Sequence, residues 1–301
     1  MRKRRKKRER VGKMDFSYFF WNSRQFLKLE EQGTKLGFTL CCRGHLIWLL
    51  VIALATALIS SWYIRLGGER RVGRFSRRSN AVYPPTSLQE TERKRKRVRH
   101  FFAIAIVGSE IVRDLIIALT GNFRLEYLPF HLCGFAIFAM LADAYAENQK
   151  LTGQFMAYAF MPGATAALLF CNWTEYPFLT FMCIYSFVFH AWIVFYTIMR
   201  FRAGEIRPDY KGLWQTVCMI LLLAGPLFLF NQRFGTNFLF INEASAGSPL
   251  VPIWNVLGTR FGYPGYLAGC ILLVIVVFHV LWLVYFLLQK RMDKREKGGL
   301  K

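Results

Sequence analysis

The sequence predicts an all-α membrane protein, a helix bundle with about seven transmembrane helices. Three observations predict it. Apolar runs of spanning length, about 20 residues, recur from residue 45 to residue 288. They are uninterrupted, whereas a soluble fold of this size buries its apolar residues in helices of about 11–12 residues. The chain is 54% hydrophobic and yet carries a net charge of +22, so the charge must lie mainly between the runs. Lipid offers no water to a bare backbone, which makes each run a helix.

The first region is residues 1–43, a polybasic tail (MRKRRKKRERVGK) followed by an aromatic and polar stretch from Met14 that reads as an interfacial segment on the membrane. Met14 is a candidate start, which N-terminal sequencing of the native protein tests. No cleavable signal peptide is expected, because the first apolar span lies far from the N-terminus and is long enough to remain.

The transmembrane domain is expected over residues 44–289. Its spans are His45–Ile64, Phe101–Thr120, Leu128–Ala146, Thr152–Cys171, Phe178–Met199, Leu213–Asn231 and Gly265–Leu288. Pro129 suits a first helical turn. Pro162-Gly163 predicts a kink in the fourth span and Gly225-Pro226 a break in the sixth. The loop Gln232–Pro264, rich in Gly, Asn, Ser and Pro, is expected to be ordered by turns and not by a helix. No internal repeat supports an inverted-repeat transporter. Residues 290–301 form a basic tail.

Lys and Arg concentrate in the loop Arg65–His100, the loop Arg200–Lys211 and the C-terminal tail, and are sparse in the alternate loops. This predicts a cytoplasmic C-terminus and, with an odd number of spans, an N-terminus outside the cell membrane. The basic tail at residues 1–13 pulls the other way. The same charges point to membrane lipids as partners, with anionic headgroups at the basic segments, and not to nucleic acid. The sequence is silent on oligomeric state. The seven cysteines form no CxxC pair and no metal-ligand cluster, so neither a disulfide framework nor a metal is expected; no cofactor is implied.

Charged groups inside a span cost about 2.5–3.5 kcal/mol each and are functional candidates. Glu110, Arg113 and Asp114 share one face of the second span at spacings of three and four; they read either as a structural ion pair or as a substrate-binding group. His131 and Cys133 stand at the start of the third span. A helix N-terminus favours a thiolate, so Cys133 is a candidate nucleophile, or else an ordinary core cysteine. His190, in the middle of the fifth span, is a candidate general base, or else the partner in an interhelical hydrogen bond. Asn231 falls at the outer mouth. His45 and His279 are weaker candidates and His100 reads as interfacial.

The run Leu128-Pro129-Phe130-His131-Leu132-Cys133, with Glu110 before it, the His190 span, Arg207-Pro208, Asn231, Gly235-Thr236-Asn237-Phe238-Leu239-Phe240 and Gly247-Ser248-Pro249-Leu250 after it, resembles the YwaF family of integral membrane proteins over about residues 14–288. That family is similar to a vertebrate transmembrane group that moves acyl chains onto lysophospholipids, and distantly to membrane hydrolases of the androgen-induced type. The resemblance implies Cys133 as acyl-accepting nucleophile and His190 as its base. On that reading His131 or Asn231 donates to the oxyanion, Glu110 orients a histidine, Arg113 binds a phosphate, and Asp114 and Asn237 complete the substrate contacts. The alternative is a non-enzymatic solute transporter or lipid-binding protein in which Glu110, Asp114 and His190 relay protons or ions.

Overall fold

A computed structural model describes residues 19–21, 23–31, 36–66, 85–121, 123–245 and 248–298. The tail at residues 1–13, Met14, most of the first loop (67–84) and Gly247 lie outside the described residues. No strand occurs among those that are described. The helices are α1 (Ser23–Glu31), α2 (Arg43–Leu66), α3 (Pro85–Leu119), α4 (Leu132–Tyr145), α5 (Lys150–Phe155), α6 (Met161–Leu169), α7 (Phe181–Arg202), α8 (Tyr210–Phe234), α9 (Val251–Ile253) and α10 (Thr259–Gly298).

Five stretches are long and apolar enough to cross a membrane: Arg43–Leu66, Leu125–Tyr145, Phe181–Arg202, Tyr210–Phe234 and Val251–Lys294. The second and fourth expected spans are helical as well. The second is the later part of α3, diluted by Glu110, Arg113 and Asp114; the fourth is assembled from α5, the π-helical turn Met156–Phe160 and α6. The chain is thus a multi-pass helical membrane bundle. α7 is its axis: it packs against α2, α3 and α6, and 44% of its apolar window is buried where the other four candidate spans have 11–22%.

Three boundaries differ from expectation. The kink of the fourth span is a wide turn placed just before Pro162. Proline has no N–H to give the preceding turn, and a π-turn absorbs that mismatch. α8 runs through Gly225-Pro226 without a break, because one proline removes only one ladder hydrogen bond. The loop Gln232–Pro264 is only half a loop. Its apolar second part, from Val251, is helical and leads through the π-turn Trp254–Gly258 into α10; Gly262, at φ 66°, is the one non-helical residue on the way.

The described part of the N-terminal segment packs against the bundle. Phe26 is buried against Tyr176, with ring centres 5.8 Å apart, and Phe19 and Phe20 meet Phe181.

Candidate functional site

A cavity of about 730 Å³ opens between α3, α4, α6, α7, α8 and α10. One wall is polar and carries Glu110, Arg113, His131, Cys133 and His190; the other, from α8 and α10, is apolar and carries Ile220, Leu273, Val274, Val277 and Phe278. An amphipathic ligand matches both walls at once.

Cys133 is the second residue of α4, half-buried, at the cavity edge. A tight turn over residues 128–131 presents it. His131 is the N-cap, its carbonyl accepting from the amides of Gly134 (2.9 Å) and Phe135 (3.2 Å). The first N–H groups of a helix have no intrahelical partner and carry its positive end, and the thiol sits beside that end of α4. Gly134 makes the turn possible. A Cβ there would lie 2.5 Å from the Pro129 carbonyl oxygen, and that atom is backbone and cannot swing away. Gly134→Ala is therefore expected to displace the cap of α4 and lower the yield of folded protein; expression and thermal unfolding in detergent check this.

His190 is held in one tautomer. Its Nδ1–H donates to the Ser186 carbonyl at 2.6 Å, since a carbonyl can only accept. Nε2 is thereby left as a lone-pair acceptor. Trp173 lies flat on the imidazole, ring centres 5.1 Å apart and 14° between planes. Phe187 stands edge-on to Trp173 and stacks in turn on Trp48. The loop bearing Trp173 is pinned by Phe38, whose amide donates to the Thr174 carbonyl at 2.8 Å. Gly37 is required there, because a Cβ would sit 2.2 Å from that same oxygen.

His131 packs edge-on against Phe238 (5.1 Å) and beside Phe240 (5.2 Å). Cys133, His131 and His190 share one cavity, although among the described residues no hydrogen bond joins Cys133 to His190. The Cys–His contact that does exist is Cys171 with His45, 3.6 Å apart. It is structural. His45 accepts from the Cys41 amide and donates to the Leu168 carbonyl, tying α2 to α6, and both side chains are buried outside the cavity lining.

Glu110 and Arg113 pair at 2.5 Å, and Tyr185 donates to Glu110. Arg113 also donates to Asp114 Oδ1 at 2.6 Å and to the Tyr127 carbonyl at 2.8 Å. Glu110 therefore orients no histidine among the described residues; its partners are an arginine and a tyrosine. Arg113, the expected phosphate binder, lines the cavity, and through one of its nitrogens it also holds the turn that precedes Cys133. Asp114 is 56% exposed and outside the cavity lining.

The two asparagines are loop clamps and do not line the cavity. Asn231 is buried; it donates to the Phe238 carbonyl (3.0 Å) and accepts from Thr236 (2.8 Å) and the Phe238 amide (2.9 Å). It is not among the residues that line the cavity. Asn237 bonds the backbone of Asn242 and Glu243. Together they shape the turn that sets Leu239 and Phe240 over the cavity in left-handed conformation, φ 56° and 55°. Asn237→Ala is expected to leave the fold intact and to loosen this turn, raising proteolytic nicking within residues 236–243. His279 donates to the Ile275 carbonyl, and His100 stacks on Tyr145.

Sequence reasoning missed a second polar network at the opposite end of α7. Asp143 and Arg200 form a buried ion pair. Tyr196 (2.6 Å) and Thr152 (2.5 Å) donate to the Asp143 carboxylate, and Arg200 also reaches Gln149 (2.6 Å) and Glu205 (3.0 Å). An acid inside the apolar run Leu132–Tyr145 was the available signal. Trp173 and Tyr185 carried no such signal, because their roles come from tertiary packing.

Compared with known proteins, residues 41–285 match the model of the TMEM164 family. No curated protein and no solved structure matches the chain.

Proposed function

This chain belongs to the TMEM164 family of multi-pass membrane proteins, and we propose that it transfers acyl groups between lipids through a thioester on Cys133. The Cys133 thiol attacks the ester carbonyl of a donor lipid while His190 Nε2 takes its proton. The tetrahedral intermediate collapses, the C–O bond breaks, and His190 returns the proton to the departing lysolipid alkoxide. The acceptor's hydroxyl then loses its proton to His190 and attacks the thioester, releasing acylated lipid and the thiol. Atoms and charge balance without an added cofactor. With water as acceptor the same steps give hydrolysis.

The observation that carries the reading is the fixed tautomer of His190, which leaves Nε2 as a lone-pair acceptor in a cavity it shares with Cys133. The amino end of α4 supports it by stabilising charge that develops at the thiol and the adjacent carbonyl oxygen. The apolar wall from α8 and α10 suits an acyl chain, and the sequence resemblance to acyl-moving membrane proteins points the same way. Trp173 is the positioning residue that fixes the plane of His190.

The test is acyl exchange in vesicles holding purified protein, a phospholipid with one deuterated acyl chain and a lysophospholipid acceptor, read by mass spectrometry. Wild type is expected to move the labelled chain. His190→Gln, which keeps a hydrogen-bonding side chain and loses the base, is expected to be slower by about 10²–10⁴-fold. Label movement unchanged in His190→Gln contradicts the reading.

A further inference from the structure

α3 is longer than a membrane is thick. Its 35 residues extend about 52 Å at 1.5 Å per residue, against a hydrocarbon core of about 30 Å. The apolar part starts at Phe101, so the turns before it stand in and beyond the headgroup layer. That stretch, Thr91-Glu92-Arg93-Lys94-Arg95-Lys96-Arg97-Val98-Arg99-His100, holds six Lys and Arg.

The cations divide by face. Arg95 and Arg99 turn inward and are buried: they pair with Glu205 at 3.5 and 3.3 Å, Arg99 also pairs with Glu92 at 2.6 Å, and Tyr63 donates to Glu205 at 2.8 Å. His100 stacks on Tyr145 at 4.1 Å. These contacts lock the protruding turns to the bundle. Of the acids on this stretch, Glu92 is taken by Arg99 and Glu90 by Lys94 at 2.8 Å. Arg93, Lys96 and Arg97 are exposed and make no ion pair among the described residues. At spacings of three and four they share one helical face, and that face is held rigid from behind.

Height decides what they fit. Arg97 lies four residues before Phe101, about 6 Å outward, and Arg93 eight residues before it, about 12 Å outward. A headgroup layer is only about 5–8 Å thick on each side. The lower cation is level with the phosphodiester of an ordinary phospholipid, while the upper one stands beyond it, where only a headgroup carrying further phosphates reaches.

We infer that Arg93, Lys96 and Arg97 form a docking site for a phospholipid whose headgroup bears additional phosphates, of the phosphorylated-inositol class, in the leaflet at this end of the bundle. The surplus of cations at this end assigns it to the cytoplasmic leaflet, whose anionic lipids attract such segments. The fixed face contributes what a flexible basic tail lacks: cations carried at two heights on an ordered backbone, so that only their side chains are ordered on binding. The site does not involve the cavity, and its test needs no catalytic activity.

The experiment uses the full chain in nanodiscs of neutral lipid and measures binding of a soluble short-chain phosphatidylinositol bisphosphate. Saturable, salt-sensitive binding is expected, weakened about a hundredfold in the triple variant Arg93→Gln, Lys96→Gln, Arg97→Gln. The double variant Arg93→Lys, Arg97→Lys keeps the charge and should keep the binding, which separates charge loss from misfolding; loss of binding there overturns the proposal. Binding unchanged in the triple variant overturns it too, as does equal affinity for short-chain phosphatidylserine. Equal affinity for the free inositol phosphate headgroup overturns the membrane-lipid assignment.

Discussion

Cys133→Ala protein, inserted and folded as the wild type, should move acyl chains between lipids at no more than about a thousandth of the wild-type rate, the scale on which covalent catalysis collapses when its nucleophile is removed. The side chain is half-buried at a cavity edge and makes no hydrogen bond among the described residues, so truncation should cost little stability. Loss of rate with unchanged unfolding temperature is the signature that separates a nucleophile from a core cysteine. Cys171→Ala provides the contrast. That thiol donates to the Leu168 carbonyl beside His45, away from the cavity, so its variant should lose stability through disturbed packing and keep its rate per folded molecule. Exchange rates and thermal unfolding on the same preparations decide both.

Asp143→Ala should be strongly destabilising. It leaves the buried Arg200 with only the Glu205 carboxylate, which Arg95 and Arg99 share, and removes the acceptor of Tyr196 and Thr152. Removing one partner of a buried ion pair costs about 3–5 kcal/mol when the survivor is left uncompensated; with Glu205 still beside Arg200, the lower end of that range is expected. The expected readout is failure to accumulate in the membrane, or a large fall in unfolding temperature. Replacing both partners, with Asp143→Leu and Arg200→Met together, should recover much of the loss, since a matched apolar pair leaves no charge unpaired. Double-variant protein no more stable than Asp143→Ala would mean that the rest of the network, Gln149 and Glu205 included, depends on Arg200 in its own right.

The spans were legible in the sequence because lipid enforces a single rule, a long apolar helix, and that rule leaves its mark on composition. The site was legible in part for the same reason. His131, Cys133 and His190 stand out as polar groups in apolar surroundings, and the structure gathers all three at one cavity. Asp143 obeys the same rule as an acid inside the apolar run Leu132–Tyr145, but its partner Arg200 lies 57 residues away and spacing alone does not pair them. A motif containing Asn231 and Asn237 suggests ligand contacts; what the structure shows of their amides is bonding within one turn. Spacing could place Arg113 beside Glu110 but could not show that one of its nitrogens reaches the Tyr127 carbonyl. Trp173 was invisible. Its position against His190 depends on Phe38 and Gly37 seating a loop more than a hundred residues away in sequence, and no local pattern encodes such a contact.

The most direct measurement is capture of the acyl intermediate. Purified protein incubated with a donor phospholipid and no acceptor, quenched in acid and analysed by peptide mass spectrometry, should carry one acyl chain on Cys133, released by neutral hydroxylamine as a thioester is and absent from the Cys133→Ala variant. In His190→Gln protein the adduct should form more slowly on the same residue. An acyl chain found on a different residue, or transfer between lipids proceeding while Cys133 stays unmodified throughout, would contradict the account.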